Sequence, residues 1–220
     1  MHNTVQNLIY IEGLIKSKVN DIKNDKLPKI IAVSKTFSID KVLPLVEYGH
    51  IDYGENKVQE AIDKWTEVKL KNNNIKLHLI GKLQTNKVKL ALKIFDYIHS
   101  LDTQKLVDTL CVQEMNLNKK LKYFIQVNVG AEIQKSGIAP NEIDDFYTYC
   151  KIEKKLNVIG LMAIPPNDEH QEKHYEYLSE VNSSLGLKDL STGMSNDYLK
   201  AIKHKATYIR LGSSIFGNRS

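Results

Sequence analysis

Short apolar runs recur along the chain, each closed by a polar residue or a glycine. They read as strands at "KIIAVS" (29–34), "HIDYGEN" (50–56), "KLHLIGKL" (76–83), "YIHSLD" (97–102), "LKYFIQVNV" (121–129), "NVIGLMAI" (157–164), "KDLST" (188–192) and "TYIRLGSS" (207–214). Between most of them, apolar side chains return every three or four positions. "NKVQEAIDKWTEVKL" spaces Val58, Ile62, Trp65 and Val68 in this way, and "NEIDDFYTYCKIEKK" does so with Ile143, Phe146 and Cys150. Strands that alternate with helices pair in parallel, and eight of them suggest closure into a TIM-like (β/α)8 barrel. A doubly wound open sheet is the competing topology.

The start of the chain supplies one more helix. Val5, Leu8, Ile9, Ile15, Val19 and Ile22 form an apolar stripe, with Asn3 as the expected N-cap and Gln6 three residues on. Only six residues follow Ser214, too few for an ordinary eighth helix. The N-terminal helix is therefore expected to cover the barrel at that place. Pro44 in "SIDKVLPLVEYG" lacks a backbone donor and is expected to kink its helix or delay its start. Residues 163–174 read as a loop and "KNNN" (71–74) as a polar turn. With no internal repeat and no Gly/Ser-rich linker, residues 1–220 are expected to form one domain.

Composition narrows the class. Hydrophobic residues are 42% and charged residues 26% of the chain, ordinary values for a globular protein. No apolar run approaches the ~18 residues of a membrane span. Gln6, Glu12 and Asn20 interrupt the first twenty residues, so no secretory leader is expected. Cys111 and Cys150 form no close motif, which points to a reduced, cytoplasmic protein. The net charge of +5 raises the question of nucleic acid. However, Arg210 and Arg219 are the only arginines, and the lysines are scattered among acids. A solvated lysine-rich surface explains this pattern better than a nucleic-acid footprint.

The chemistry starts at Lys35, which ends the apolar run Ile30–Val33. Desolvating an ammonium there is costly, and a buried lysine is biased toward its neutral, nucleophilic form. In a closed barrel the loops after strands seven and eight frequently hold phosphate. Strand seven runs into "STGMSNDYLKAI", where Gly193 permits close approach, Ser195 offers a hydroxyl, and the following amides open a helix. Strand eight ends in "RLGSS", with Gly212 and Ser213. Closure sets strand eight beside strand one, and so sets Lys35 near both loops. An amine beside a phosphate cradle suits imine formation with a phosphorylated aldehyde. Pyridoxal 5′-phosphate (PLP) is one such ligand; the substrate of a Schiff-base aldolase is another.

"AVSKTFS", "DYGENKVQE", "HLIGKLQTNK", "VNVGAEIQKSG", "GLMAIPP", "STGMSND" and "IRLGSSIFG" resemble, in order from residue 32 to 217, the PLP homeostasis proteins. These are single-domain relatives of the alanine racemase N-terminal barrel. The resemblance implies that Lys35 holds PLP as an internal aldimine. It assigns Ser195, Gly212 and Ser213 to the phosphate, Asn56 to the pocket, and Arg210 to the pyridine nitrogen. Thr192 stands where the family pattern "SMGMS" has methionine. A permanently charged guanidinium favours a neutral pyridine nitrogen and weakens the ring as an electron sink. Racemases of this fold add a tyrosine base from a second domain, which is not expected here. The expectation is a monomeric PLP carrier or buffer, without robust catalysis, that serves PLP-dependent apoenzymes and touches neither membrane nor specific nucleic acid.

Other candidates carry less. His170 and His174 have i, i+4 spacing, but Gln171 stands where a zincin has its glutamate, and no third ligand is evident. His78 is either a lining of the barrel mouth or a hydrogen-bonded core residue. Lys82, Lys87 and Lys135 could form a basic rim; Lys135 lies in an "ExxKxG" stretch that the resemblance marks as a secondary acceptor. The cysteines read as small apolar fillers. An amino-acid racemase or Schiff-base aldolase and a nucleic-acid or protein-binding module are the alternatives to the carrier.

Overall fold

Each of the eight apolar runs forms a strand in the computed structural model, which describes residues 1–23, 26–132 and 134–217. They are β1 Lys29–Val33, β2 Asp52–Glu55, β3 Lys76–Leu79, β4 Tyr97–Leu101, β5 Lys122–Val127, β6 Val158–Ala163, β7 Asp189–Met194 and β8 Tyr208–Leu211. All pair in parallel in sequence order. β1 also pairs with β8, with Ile31 opposite Arg210 and Ala32 opposite Leu211, so the sheet closes and the open alternative is excluded.

The helices are α1 Asn3–Asp21, α2 Ile39–Tyr48, α3 Val58–Lys71, α4 Val88–Ile94, α5 Gln104–Leu117, α6 Ile143–Thr148, α7 Gln171–Ser184, α8 Tyr198–Lys203 and α9 Ser213–Phe216. α6 runs on into a π turn, Tyr149–Glu153, which still buries Cys150. Helices on the outside and side chains on the inside cover both faces of every strand, which is why most strands are largely apolar; β2, Asp52–Glu55, is buried at all four positions although two are acidic.

α1 packs against α2, α8 and α9, over the seam where β8 meets β1. It therefore covers the barrel where the sequence left that role open. Two details differ from expectation. The N-cap is His2, whose ring Nδ1 accepts the Thr4 amide at 3.3 Å, and not Asn3. The buried stripe is Val5, Leu8, Ile11, Ile15 and Val19, with Ile9 turned to solvent. Ile9 sits about 100° around the helix from Leu8, whereas Ile11 lies three positions on, under the same face. α2 starts at Ile39 and runs through Pro44, so the proline does not delay it. The helix instead gives up the bond that the residue 44 nitrogen would have donated.

The barrel interior is unusual. An apolar layer of Ile31, Val33, Tyr97, Phe124, Met162 and Tyr208 shares the space with buried Asp52, His78, His99, Ser191 and Arg210. His78 stacks on Tyr97 at 4.2 Å and His99 on Phe124 at 4.3 Å. None of the described helices is long and apolar enough to cross a membrane.

Candidate functional site

The chain leaves β1 at Val33 and reverses in a turn that contains Lys35. Thr36 has φ of 69°, a left-handed conformation that a β-branched residue rarely takes. Such strain persists only where surrounding contacts impose it, and it concentrates at functional turns. Here the anchor is buried Glu55 at the end of β2. Its Oε1 accepts from Ser34 Oγ at 2.7 Å, Lys64 Nζ at 2.9 Å and Trp65 Nε1 at 3.0 Å. Lys64 also donates to the Ser34 carbonyl at 2.9 Å. The residue preceding Lys35 is thus tied to β2 and α3.

The loop after β7 is equally constrained. Gly193 has φ of 90°, and a Cβ there would lie 2.6 Å from Ala201 Cβ. Only glycine meets both demands. Asp197 closes the turn: its Oδ1 accepts the Met194 amide, and its Oδ2 accepts from Tyr175 Oη at 2.8 Å and Gln171 Nε2 at 3.1 Å. That leaves Ser195 facing the end of β8. Its Oγ receives the amides of Gly212 and Ser214, each at 3.3 Å, and the Ser214 hydroxyl at 3.0 Å. Three donors from the β8 loop therefore converge on the hydroxyl of the β7 loop. The two amide bonds are long, so an anion with several acceptor oxygens would compete well for these donors.

A cavity of about 340 Å³ joins these parts. Lys35, Ser195, Arg210, Gly212 and Ser213 all line it, and Val33, Phe37, Ile80, Ile164, Pro165 and Met194 give it an apolar wall. Five of the six residues singled out from the sequence thus share one space. Asn56 is the exception. It lines a neighbouring cavity of about 350 Å³ with Lys57, Lys82 and Lys87, and presses its backbone against Gly81.

Arg210 is fully enclosed. Nη1 donates to Ser191 Oγ at 2.7 Å and Nη2 to the Ala163 carbonyl at 2.9 Å. Burial pushes its pKa down to about 10, while Tyr175 and Asp197 act in the opposite direction. It remains a cation at neutral pH. Thr192, also buried, donates to the same Ala163 carbonyl at 3.3 Å. From Ser191 hydrogen bonds continue to His99, His78 and Asp52. His78 is therefore a core residue far from solvent, not a lining of the mouth.

The remaining candidates lie elsewhere. Lys82 and Lys135 line a third cavity at the mouth, where Lys135 pairs with Glu132. His170 is exposed before α7, and among the described residues no group of three His, Cys, Asp or Glu is placed to hold a metal. Burial pushes the Cys150 thiol up to about 12, consistent with an apolar filler. Arg219 lies outside the described residues. Glu55, Asp197 and His99 carry much of the geometry and were not singled out in the sequence, whereas His78 and the second hydroxyl of "RLGSS", Ser214, were noted there without a site role. Polar residues in the middle of runs that should be apolar on both faces are the signal that would have found His99 and Ser191.

An amine, a convergent set of hydrogen-bond donors, an apolar wall and a buried cation thus line one cavity. The alanine racemase N-terminal domain family matches residues 14–220. The chain is 35% identical to the pyridoxal phosphate homeostasis protein of Pasteurella multocida over 97% of both chains. It is 33% identical to that of Escherichia coli K12 over 86% of this chain and 85% of the other. Among solved structures it is similar to PipY of Synechococcus elongatus with PLP bound, with a TM-score of 0.79 and 29% identity over 92% of this chain and 100% of that one. Alanine racemase of Clostridium difficile shares the fold, with a TM-score of 0.74 at 13% identity; the match covers 99% of this chain and 57% of the racemase. The chain belongs to the pyridoxal phosphate homeostasis protein family, whose fold is that of the alanine racemase N-terminal barrel.

Proposed function

We propose that this protein binds PLP in the 340 Å³ cavity and serves as a carrier or buffer of the cofactor, without robust turnover. The observation that carries this reading is the convergence of the Gly212 and Ser214 amides on Ser195 Oγ within a cavity that Lys35 also lines. In this reading Lys35 holds the aldehyde as a Schiff base, the Ser195–Ser214 cradle holds the phosphate, and Arg210 meets the pyridine nitrogen. PLP bound in this way would supply electrophilic aldehyde chemistry. The PLP-bound PipY structure and the full-length relatives support the ligand.

The absence of robust turnover is argued from electrostatics. A cationic Arg210 disfavours protonation of a ring nitrogen beside it, and so weakens carbanion stabilisation. Asp197, the acidic residue in the described lining, is occupied by Met194, Tyr175 and Gln171. The test is to add single-enantiomer amino acids to the PLP-loaded protein. A spectral change without racemised or transaminated product supports the carrier, as does transfer of PLP to an apoenzyme. Product formed at an ordinary enzymatic rate of about 1 s⁻¹ or more contradicts it. We further infer a cytoplasmic, monomeric protein; Cys111 and Cys150 form no disulfide, which fits the first of these.

A further inference from the structure

The barrel interior contains an unbroken polar chain between its two ends. Asp52 Oδ1 lies 2.9 Å from His78 Nε2, His78 Nδ1 lies 2.9 Å from His99 Nε2, and His99 Nδ1 lies 2.9 Å from Ser191 Oγ. Arg210 Nη1 closes the series on Ser191 Oγ at 2.7 Å. His78, His99 and Ser191 are fully buried, and Asp52 borders a cavity of about 230 Å³ at the N-terminal end of the barrel. Arg210 borders the candidate site at the C-terminal end.

The chemistry of the two termini sets a direction. A guanidinium has no acceptor and an ionised carboxylate has no donor. His78 therefore donates from Nε2 to Asp52 and, as a neutral ring, accepts at Nδ1. That requires His99 to donate from Nε2 and accept at Nδ1 from the Ser191 hydroxyl, whose oxygen accepts from Arg210. Every donor and acceptor in the series is used once, with both imidazoles neutral and in the same tautomer. Reversing any one link leaves two donors or two acceptors facing each other inside the core, which is costly.

We propose that Asp52, His78, His99 and Ser191 are positioning residues that lock Arg210, through this one-way chain of hydrogen bonds, as a fixed cationic donor at the cofactor cavity. Only the use of the device rests on the PLP reading; the chain itself does not. Its surroundings favour the locked state. Burial disfavours a charge on either imidazole, and for His99 the nearby His78 and Arg210 add to that effect. Burial is the largest single influence on Asp52 and works against ionisation, but the hydrogen bond from His78 and the charge interactions with His78, Lys29 and His50 together leave the pKa below its ordinary value. Other groups facing the chain are Lys29 and His50 near Asp52, Asp96 near His78, the Tyr97 and Tyr208 rings against both imidazoles, and Tyr175 and Asp197 near Arg210. Proton transfer along the chain from Arg210 to Asp52 would leave a neutral arginine and a protonated aspartate. Both are disfavoured at neutral pH, so the chain orients Arg210 and does not conduct protons.

The direct test needs no ligand. Nitrogen-15 imidazole spectra of the ligand-free protein at pH 7 should show His78 and His99 neutral, both protonated at Nε2 and bare at Nδ1. Ser191→Ala should move the bare Nδ1 resonance of His99 most and that of His78 less. An imidazolium, or an Nδ1–H tautomer at either residue, overturns the proposal. A second arm adds PLP. The absorption band of the wild type should hold constant between about pH 6 and 9, whereas Ser191→Ala should bind several-fold more weakly with a band that titrates in this range. An unchanged affinity and flat profile in Ser191→Ala also overturns it. If the tautomers are as stated but the wild type binds no PLP, the relay stands and the cofactor reading fails.

Discussion

Ser195 Oγ and Ser214 Oγ lie 3.0 Å apart, although one belongs to the loop after β7 and the other to the first turn of α9 after β8. Pairing of β7 with β8 makes this contact possible, and the Asp197 turn and Gly193 aim the first of the two hydroxyls. If this contact marks the phosphate position, Ser195→Ala with Ser214→Ala should weaken PLP binding about 10- to 100-fold. That is the range expected for losing one to two hydrogen bonds to a charged group. A spectroscopic titration measures it. The melting temperature of the ligand-free protein should change little, because both hydroxyls are only partly buried.

Gly193→Ala should act on both stability and binding. The left-handed φ and the 2.6 Å approach to Ala201 Cβ leave no room for a methyl group. A cost of about 1–3 kcal/mol is expected, which for a chain of this length lowers Tm by several degrees. Calorimetry without ligand reads the first effect, and PLP titration the second.

Glu55→Gln tests whether the Lys35 turn is held from behind. The carboxylate takes three donors on one oxygen, and one of them is the ammonium of Lys64. Leaving that charge poorly compensated should cost about 2–4 kcal/mol in urea unfolding. PLP affinity should fall as well, although Glu55 does not line the cavity. Wild-type affinity in the variant would show that the turn holds itself.

Stability should decline as the solution is made acidic, starting well above the carboxylate range. Burial lowers the pKa of His50, His78 and His99 from the ordinary 6.5. The unfolded chain therefore binds protons at these positions before the folded chain does. Stability is complete above about pH 6.5 and falls as pH drops toward the lowered values, each histidine contributing up to about 1.4 kcal/mol per pH unit. Asp52 contributes in the same sense, but only below its ordinary 3.8. His99→Phe, which keeps the stack on Phe124, should make the slope between about pH 5 and 6.5 shallower, whatever its effect on absolute stability. A flat wild-type profile there would contradict neutral burial of the three rings.

The fold was legible because parallel strands buried on both faces are mostly apolar, as in Ile30–Val33 and Leu161–Ala163, with helical spacing between them. Loops seven and eight were legible for a different reason: glycine and serine are the residues that bring backbone amides close to an anion. What remained hidden depended on side-chain partners far apart in the sequence. His78 and His99 look like unrelated strand residues until the pairing of β3 with β4 brings them to 2.9 Å, and Glu55 reads as a strand-end acid until Trp65 and Lys64 fold over it. Asn56 was assigned to the pocket by resemblance alone. The structure turns it toward the adjacent cavity with Lys82 and Lys87, a matter of one residue's direction at the end of β2 that spacing does not encode.

The central claim is that Lys35 captures the aldehyde. PLP should be added to the wild type and to Lys35→Ala, followed by absorbance spectra, borohydride reduction and peptide mass mapping. The account predicts a visible band in the wild type that borohydride bleaches, with the reduced adduct on Lys35, and no such band in Lys35→Ala. An adduct on another lysine, or an equally strong band in Lys35→Ala, would contradict it.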